Sequence, residues 1–94
     1  MNNTRYIWDI DKYDSNIEKH GISFDEAATV FDDPNSVTVY DELHSDDEDR
    51  FKIIGFSSKL RLLLVCHCYR NGDRFTRIIS ARKATKPEYK LYRK

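Results

Sequence analysis

Apolar residues recur along this chain with two different periods, and the change of period divides it. Over residues 9–33 the spacing is helical. Ile10, Tyr13 and Ile17 fall on one face of a predicted helix. Asp9 and Asp11 sit where acids favour a helix start. Lys19 and His20 suit its negative end, and Gly21 is a natural left-handed stop. Ser23-Phe-Asp-Glu26 has the form of a capping box opening a second helix. Its apolar side chains Phe24, Ala27, Ala28 and Phe31 follow at i, i+3, i+4 and i+7, and Asp33-Pro34 ends it.

Beyond Pro34 the pattern turns to strands. Residues 37–42 are rich in β-formers, residues 43–49 form an acidic loop, and residues 51–57 alternate as a second strand. Ser58-Lys59 turns the chain into a long hairpin of residues 61–69 and 74–82 around Asn71-Gly72, a strong signal for a turn with positive φ at both central residues. Leu62 and Leu64 lie on one face of the first arm, Leu63 and Val65 on the other, so that strand should be central. With a two-residue loop, Arg70 faces Asp73 and Arg61 faces Arg82. Like charges facing across a ladder call for an anion between them, either a phosphate or a carboxylate from the acidic segment. Thr85-Lys-Pro-Glu88 is a further capping box, opening a short final helix that must dock on something. The prediction is one α+β domain over residues 1–94. It has two N-terminal helices, a four-stranded, mainly antiparallel sheet and a short C-terminal helix.

Composition adds polarity to this outline. The 94 residues are 39% hydrophobic and 34% charged, which suits a soluble globular domain with a thin core. Formal net charge is zero, but the signs are segregated. Six acids crowd residues 41–49, while the chain from Lys52 onward carries twelve Lys and Arg against Asp73 and Glu88. A basic half suits a phosphate backbone; two faces of opposite sign that pair with each other would read the same way. Cys66 and Cys68, two apart on one strand, share a face and cannot form an unstrained disulfide there, which fits a reducing compartment. The first residues lack an apolar signal core and no stretch reaches membrane-spanning length, so a cytoplasmic protein without membrane association is expected.

Several chemistries find no support. His20, His44 and His67 share no ligand spacing, nothing marks either cysteine as activated, and no glycine-rich loop cradles a phosphate. Neither a metal nor an organic cofactor is therefore expected. Cleavage of RNA without metal asks for less: a base for the 2′-hydroxyl, cations for the transition state and an acid for the leaving oxygen. Arg61, Arg77 and Arg82 are candidates to hold the phosphate, since a guanidinium fork matches its oxygens. His44 and Glu48 are candidates for base and acid. Tyr92 is placed to stack on a base or donate a proton. Strand arginines paired with acids, a solvated loop histidine and a packing tyrosine are the structural alternatives.

Taken together, the segments Trp8-Asp9, Lys12, Asn16, Lys19-His20-Gly21, Phe24, Glu26-Ala27, Asp33-Pro34, His44-Ser45, Glu48, Arg50, Ile54-Gly55, Ser57, Arg61-Leu62-Leu63 and Arg77-Ile-Ile-Ser-Ala-Arg-Lys-Ala84, with Glu88 and Tyr92, resemble the BrnT family of bacterial type II toxins. Leu60 stands where that family commonly has Gly. The resemblance implies a compact RelE-like fold and a ribonuclease that inhibits translation. It also implies an RNA substrate and a cognate BrnA-type antitoxin with a ribbon-helix-helix portion, which alone would carry the complex to operator DNA. On residue-by-residue transfer, Arg61, Arg77 and Arg82 would hold the phosphate, and His44, Glu48 and Arg50 match the acidic-loop signature. Arg50, Lys83 and Tyr92 would contact RNA. A homodimer through an exposed Phe or Tyr patch, or a heterotetramer with antitoxin, fits this expectation. A different class of function, a catalytically weak or inactive protein-binding module serving antitoxin binding and co-repression, fits the same charge pattern. A third, RNA binding without catalysis, would show salt-sensitive affinity and no products.

Overall fold

The computed structural model describes residues 5–94. After β1 (Arg5–Ile7), the Asp9 carboxylate accepts hydrogen bonds from the backbone N–H groups of Asp11 and Lys12, at 2.9 and 3.1 Å, and so starts α1 (Ile10–His20). Gly21, at φ 68°, stops it. Ser23 caps α2 (Phe24–Thr29), which tightens into a 3-10 turn, Val30–Asp32. Then follow β2 (Val37–Tyr40), β3 (Phe51–Phe56), β4 (Leu62–Arg70), β5 (Phe75–Lys83) and α3 (Lys86–Tyr92). The strand order is β1-β5-β4-β3-β2, antiparallel except where β1 runs parallel to β5.

α1 and α2 cover one face of this sheet, and α3 lies against the other through Tyr92 on Phe56 and Glu88 on Arg82. Ile22, Phe24, Ala27 and Val30 pack on Ile53, Leu63, Val65, Ile78 and Ala81. Burying each larger aliphatic or aromatic side chain contributes roughly 1.5–3 kcal/mol. His67 extends this face, edge-on to Phe31 at 4.9 Å and stacked on Phe51 at 6.0 Å. Burial holds its imidazole below the ordinary histidine range. No helix among the described residues is long and apolar enough to cross a membrane.

The α+β class, the three helices and the central place of β4 agree with expectation, and five details do not. The sheet has five strands, because three residues ahead of the first helix pair with β5 about 70 positions later. The hairpin loop has four residues, 71–74. Asn71 and Gly72 do adopt φ 55° and 67°, but Arg70 pairs with Phe75 and not with Asp73. Ile79 is then an extra residue on β5, between Ile78 opposite His67 and Ser80 opposite Cys66. Arg82 therefore faces Leu64, so the Arg61–Arg82 juxtaposition does not exist. Ser23 makes only half of its capping box, since the Glu26 carboxylate turns instead to Ser57 and Arg61. The Thr85–Glu88 box is complete.

On α1 only Tyr13 of the expected apolar stripe packs on the core, against Trp8 and Phe24. Ile10 and Ile17 are 65% and 42% exposed, and the residue buried against the sheet is Asn16. Its amide donates to the carbonyls of Ile22 and Ala81 at 2.9 and 2.8 Å and accepts from the Ala81 N–H at 3.0 Å. β1 ends opposite Arg77, so beyond that point Asn16 serves β5 as a neighbouring strand would.

Candidate active site

The face of the sheet turned away from α1 and α2 carries the polar chemistry. Lys52, Cys66 and Ser80 lie in register across β3, β4 and β5, with Leu64 beside Arg82 one step further on. Over them folds the chain between β2 and β3. Its 3-10 turn, Glu42–His44, is fixed by the Ser45 hydroxyl, which donates to the Asp41 carbonyl at 2.6 Å and accepts from the Arg50 N–H at 3.0 Å. The result is an open groove of about 280 Å³ whose polar lining is Asp41, His44, Arg50, Lys52, Ser80 and Arg82.

Asp41 anchors this groove. It is only 5% exposed, and its Oδ2 lies 2.8 Å from Nδ1 of the exposed His44. A carboxylate at Nδ1 selects the tautomer with the proton on that nitrogen, leaving Nε2 free to accept one. The other carboxylate oxygen is 3.9 Å from Lys52 Nζ. Arg50 has a buried Nε with no hydrogen-bond partner, and its terminal nitrogen lies 3.8 Å from Glu48. Arg82 is bound through two nitrogens to Glu88, at 2.8 and 2.9 Å. That guanidinium, and then the backbone N–H of Thr85, hold the Glu88 carboxyl at about 2 despite its partial burial. Arg77 lies further along the same face, opposite Cys68, with no hydrogen bond or ion pair to its guanidinium among the described residues.

The remaining expected site residues lie elsewhere. Arg61 closes a two-pronged contact on Glu26, which is buried and also accepts from Ser57 at 2.7 Å. The guanidinium keeps that carboxyl below its usual range. Glu48 is similarly clasped by Arg70, which lowers its carboxyl too. Tyr92 donates to Asp33 at 2.8 Å and packs edge-on to Phe56 at the far end of β3. Lys83 is exposed at the end of β5, and its carbonyl accepts from Arg82. Of the expected set, then, His44, Arg50 and Arg82 share one groove, Arg77 shares its face, and Arg61, Glu48, Lys83 and Tyr92 do not line it. No group of three or more potential metal ligands is gathered among the described residues.

Asp41, Lys52 and Ser80 were not singled out from sequence. Asp41 had a signal, an acid three residues before His44 across a single turn. Lys52 and Ser80 had none, because only strand register brings them to this face.

Comparison with known proteins supplies the identity. The family described as the ribonuclease toxin BrnT of type II toxin-antitoxin systems matches residues 8–88. The fold is similar to the 1.1 Å crystal structure of the Brucella abortus ribonuclease toxin BrnT, with a TM-score of 0.67 and 25% identity over 88% of this chain and 99% of that one. No curated protein matches the chain. With the family match running from the start of α1 into α3, the chain belongs to the BrnT ribonuclease toxins of type II toxin-antitoxin systems.

Proposed function

We propose that the groove beneath His44 is the catalytic centre of a metal-independent endoribonuclease that halts translation, with His44 as its base. The observation that carries this is the His44–Asp41 pair in a groove otherwise lined by Arg50, Lys52 and Arg82. Nε2 of His44 takes the proton of a 2′-hydroxyl. The resulting oxygen attacks the adjacent phosphorus, and the bond to the 5′-oxygen breaks, leaving a 2′,3′-cyclic phosphate and a 5′-hydroxyl. Lys52, beside Asp41, supplies the proton for the leaving oxygen. Arg50 and Arg82 face the charge that builds on the phosphorane oxygens, and Arg77 holds the strand further along the face. Arg61 acts at a distance in this scheme, fixing the start of β4 through Glu26.

Membership of a type II system implies an antitoxin and an RNA target. A BrnA-type ribbon-helix-helix antitoxin is the partner proposed, operator DNA being reached only through it in a higher-order complex. The exposed Ile10 and Ile17 on α1 support a protein partner. An RNA target in translation places the toxin in the cytoplasm.

The test is incubation of the purified protein with RNA in EDTA. Wild type should yield cyclic-phosphate ends, and His44→Ala should slow cleavage roughly 100-fold or more. Cleavage unchanged in His44→Ala would remove the histidine from the mechanism. One observation favours a second reading, in which catalysis is weak and the protein acts through antitoxin binding and co-repression: Arg61, Arg70 and Arg82 are all neutralised by glutamates. Intact RNA at every protein concentration, together with tight antitoxin binding, would decide for it.

A further inference from the structure

Next to the catalytic groove lies a second one, of about 320 Å³, between α1 and the edge of β5. It is lined by Asp11, Lys12, Ser15, Asn16, Lys19 and His20 from the helix, and by Ile79 and Ser80 from the strand. Ile79 and Ser80 also line the catalytic groove, so the two depressions meet at the β-bulge. β1 stops short of this point, and beyond it Asn16 takes the place of a strand at Ala81.

We infer that this groove is a second RNA subsite, in which Lys12 and Lys19 hold backbone phosphates of nucleotides flanking the cleaved bond. The inference rests on the catalytic assignment of the neighbouring groove. Lys12, Asn16 and Lys19 fall at i, i+4 and i+7, one stripe along the helix. Asn16 is turned inward onto Ala81, and the two lysines flank it on the exposed side, about 10 Å apart along the axis. Lys12, Lys19 and His20 have no ion pair among the described residues, whereas Arg61, Arg70 and Arg82 are each matched by a glutamate. The least neutralised cations of the molecule's two connected grooves thus lie outside the catalytic one. Asp11 is the single acid facing them.

A single strand whose scissile phosphate sits near His44 must leave the groove, and the bulge at Ile79 and Ser80 opens onto these lysines. The Ser80 hydroxyl at the junction makes no hydrogen bond among the described residues. No Phe, Tyr or Trp lines the second groove, and its two lysines suit phosphates, so its grip falls on the backbone more than on the bases. Such a subsite raises affinity for longer RNA without adding sequence preference.

The experiment measures binding of the purified full chain to uncleavable 2′-O-methyl RNA, comparing a trinucleotide with a longer strand containing it, at several salt concentrations. Wild type should bind the longer strand more tightly. Lys12→Ala/Lys19→Ala, both at exposed positions and checked by thermal melting, should abolish that advantage, costing roughly tenfold on the longer strand. It should also flatten the logarithmic salt dependence by about 1.4. Asp11→Asn should strengthen binding of the longer strand. A double variant that keeps the length advantage and the salt slope overturns the subsite, and if wild type still cleaves RNA the catalytic assignment survives it. The subsite is equally overturned if the double variant loses only antitoxin binding, which would give the surface to a protein partner. Wild type that neither binds nor cleaves RNA overturns both assignments.

Discussion

Leu60 is 81% exposed and sits at φ 59°, in the turn that delivers Arg61 to Glu26. A side chain with a Cβ is disfavoured in that region, and this one gains nothing from burial in return. Leu60→Gly should therefore stabilise the protein by roughly 1 kcal/mol, net of the backbone freedom that glycine adds to the unfolded chain. A rise in the urea midpoint without change of slope would show it; no rise would mean the turn holds its shape without strain. The position was visible in sequence only through the family's usual glycine. The Asp41–His44 pair could be read from its spacing. The Arg61–Glu26 contact could not, since 35 residues separate its partners and many other acids were available.

Among elements, α3 has the most conditional hold on the fold. It is seven residues long with no buried residue, and it is tied down by the Thr85 capping box, the Tyr92–Asp33 hydrogen bond and the Glu88–Arg82 pair. Glu88 has its carboxyl lowered from the ordinary 4.5 to about 2, so this contribution is complete above 4.5 and is lost as the pH falls towards 2. The protection factors of the α3 amides, exchange rates corrected for the intrinsic pH dependence, should fall over that window in wild type. In Glu88→Gln they should already be low at neutral pH. The same variant frees Arg82 and should raise RNA affinity; unchanged affinity would show that the clasped guanidinium does not meet the phosphate. The helix caps Ser23 and Thr85, the glycine stop and the positive φ of Asn71 and Gly72 were legible because each is local chemistry. The hairpin register was not, because an extra residue at Ile79 and two more in the loop leave no local trace.

At the level of the whole molecule, the two ends of the chain are joined through β5. Asn16 satisfies both backbone groups of Ala81, 65 residues away, and the carbonyl of Ile22. Asn16→Ala would strand these buried groups and should cost about 2–3 kcal/mol, readable as a lowered melting temperature. A loss below about 0.5 kcal/mol would mean that water replaces the amide. The fifth strand escaped sequence reading for the same reason: three residues carry little pattern, and their partner lies at the other end of the chain.

The parallel pairing of β1 with β5 also orders events in time. Ser80 and Arg82, two of the six polar residues lining the groove beneath His44, are synthesised after the other four, and the strand bearing them is also the surface on which β1 and α1 settle. A growing chain has neither a closed sheet nor an assembled groove until β5 has emerged, since contacts of such long sequence separation close late. If this groove cleaves RNA as proposed, the toxin carries no assembled site while β5 is still inside the ribosome that makes it.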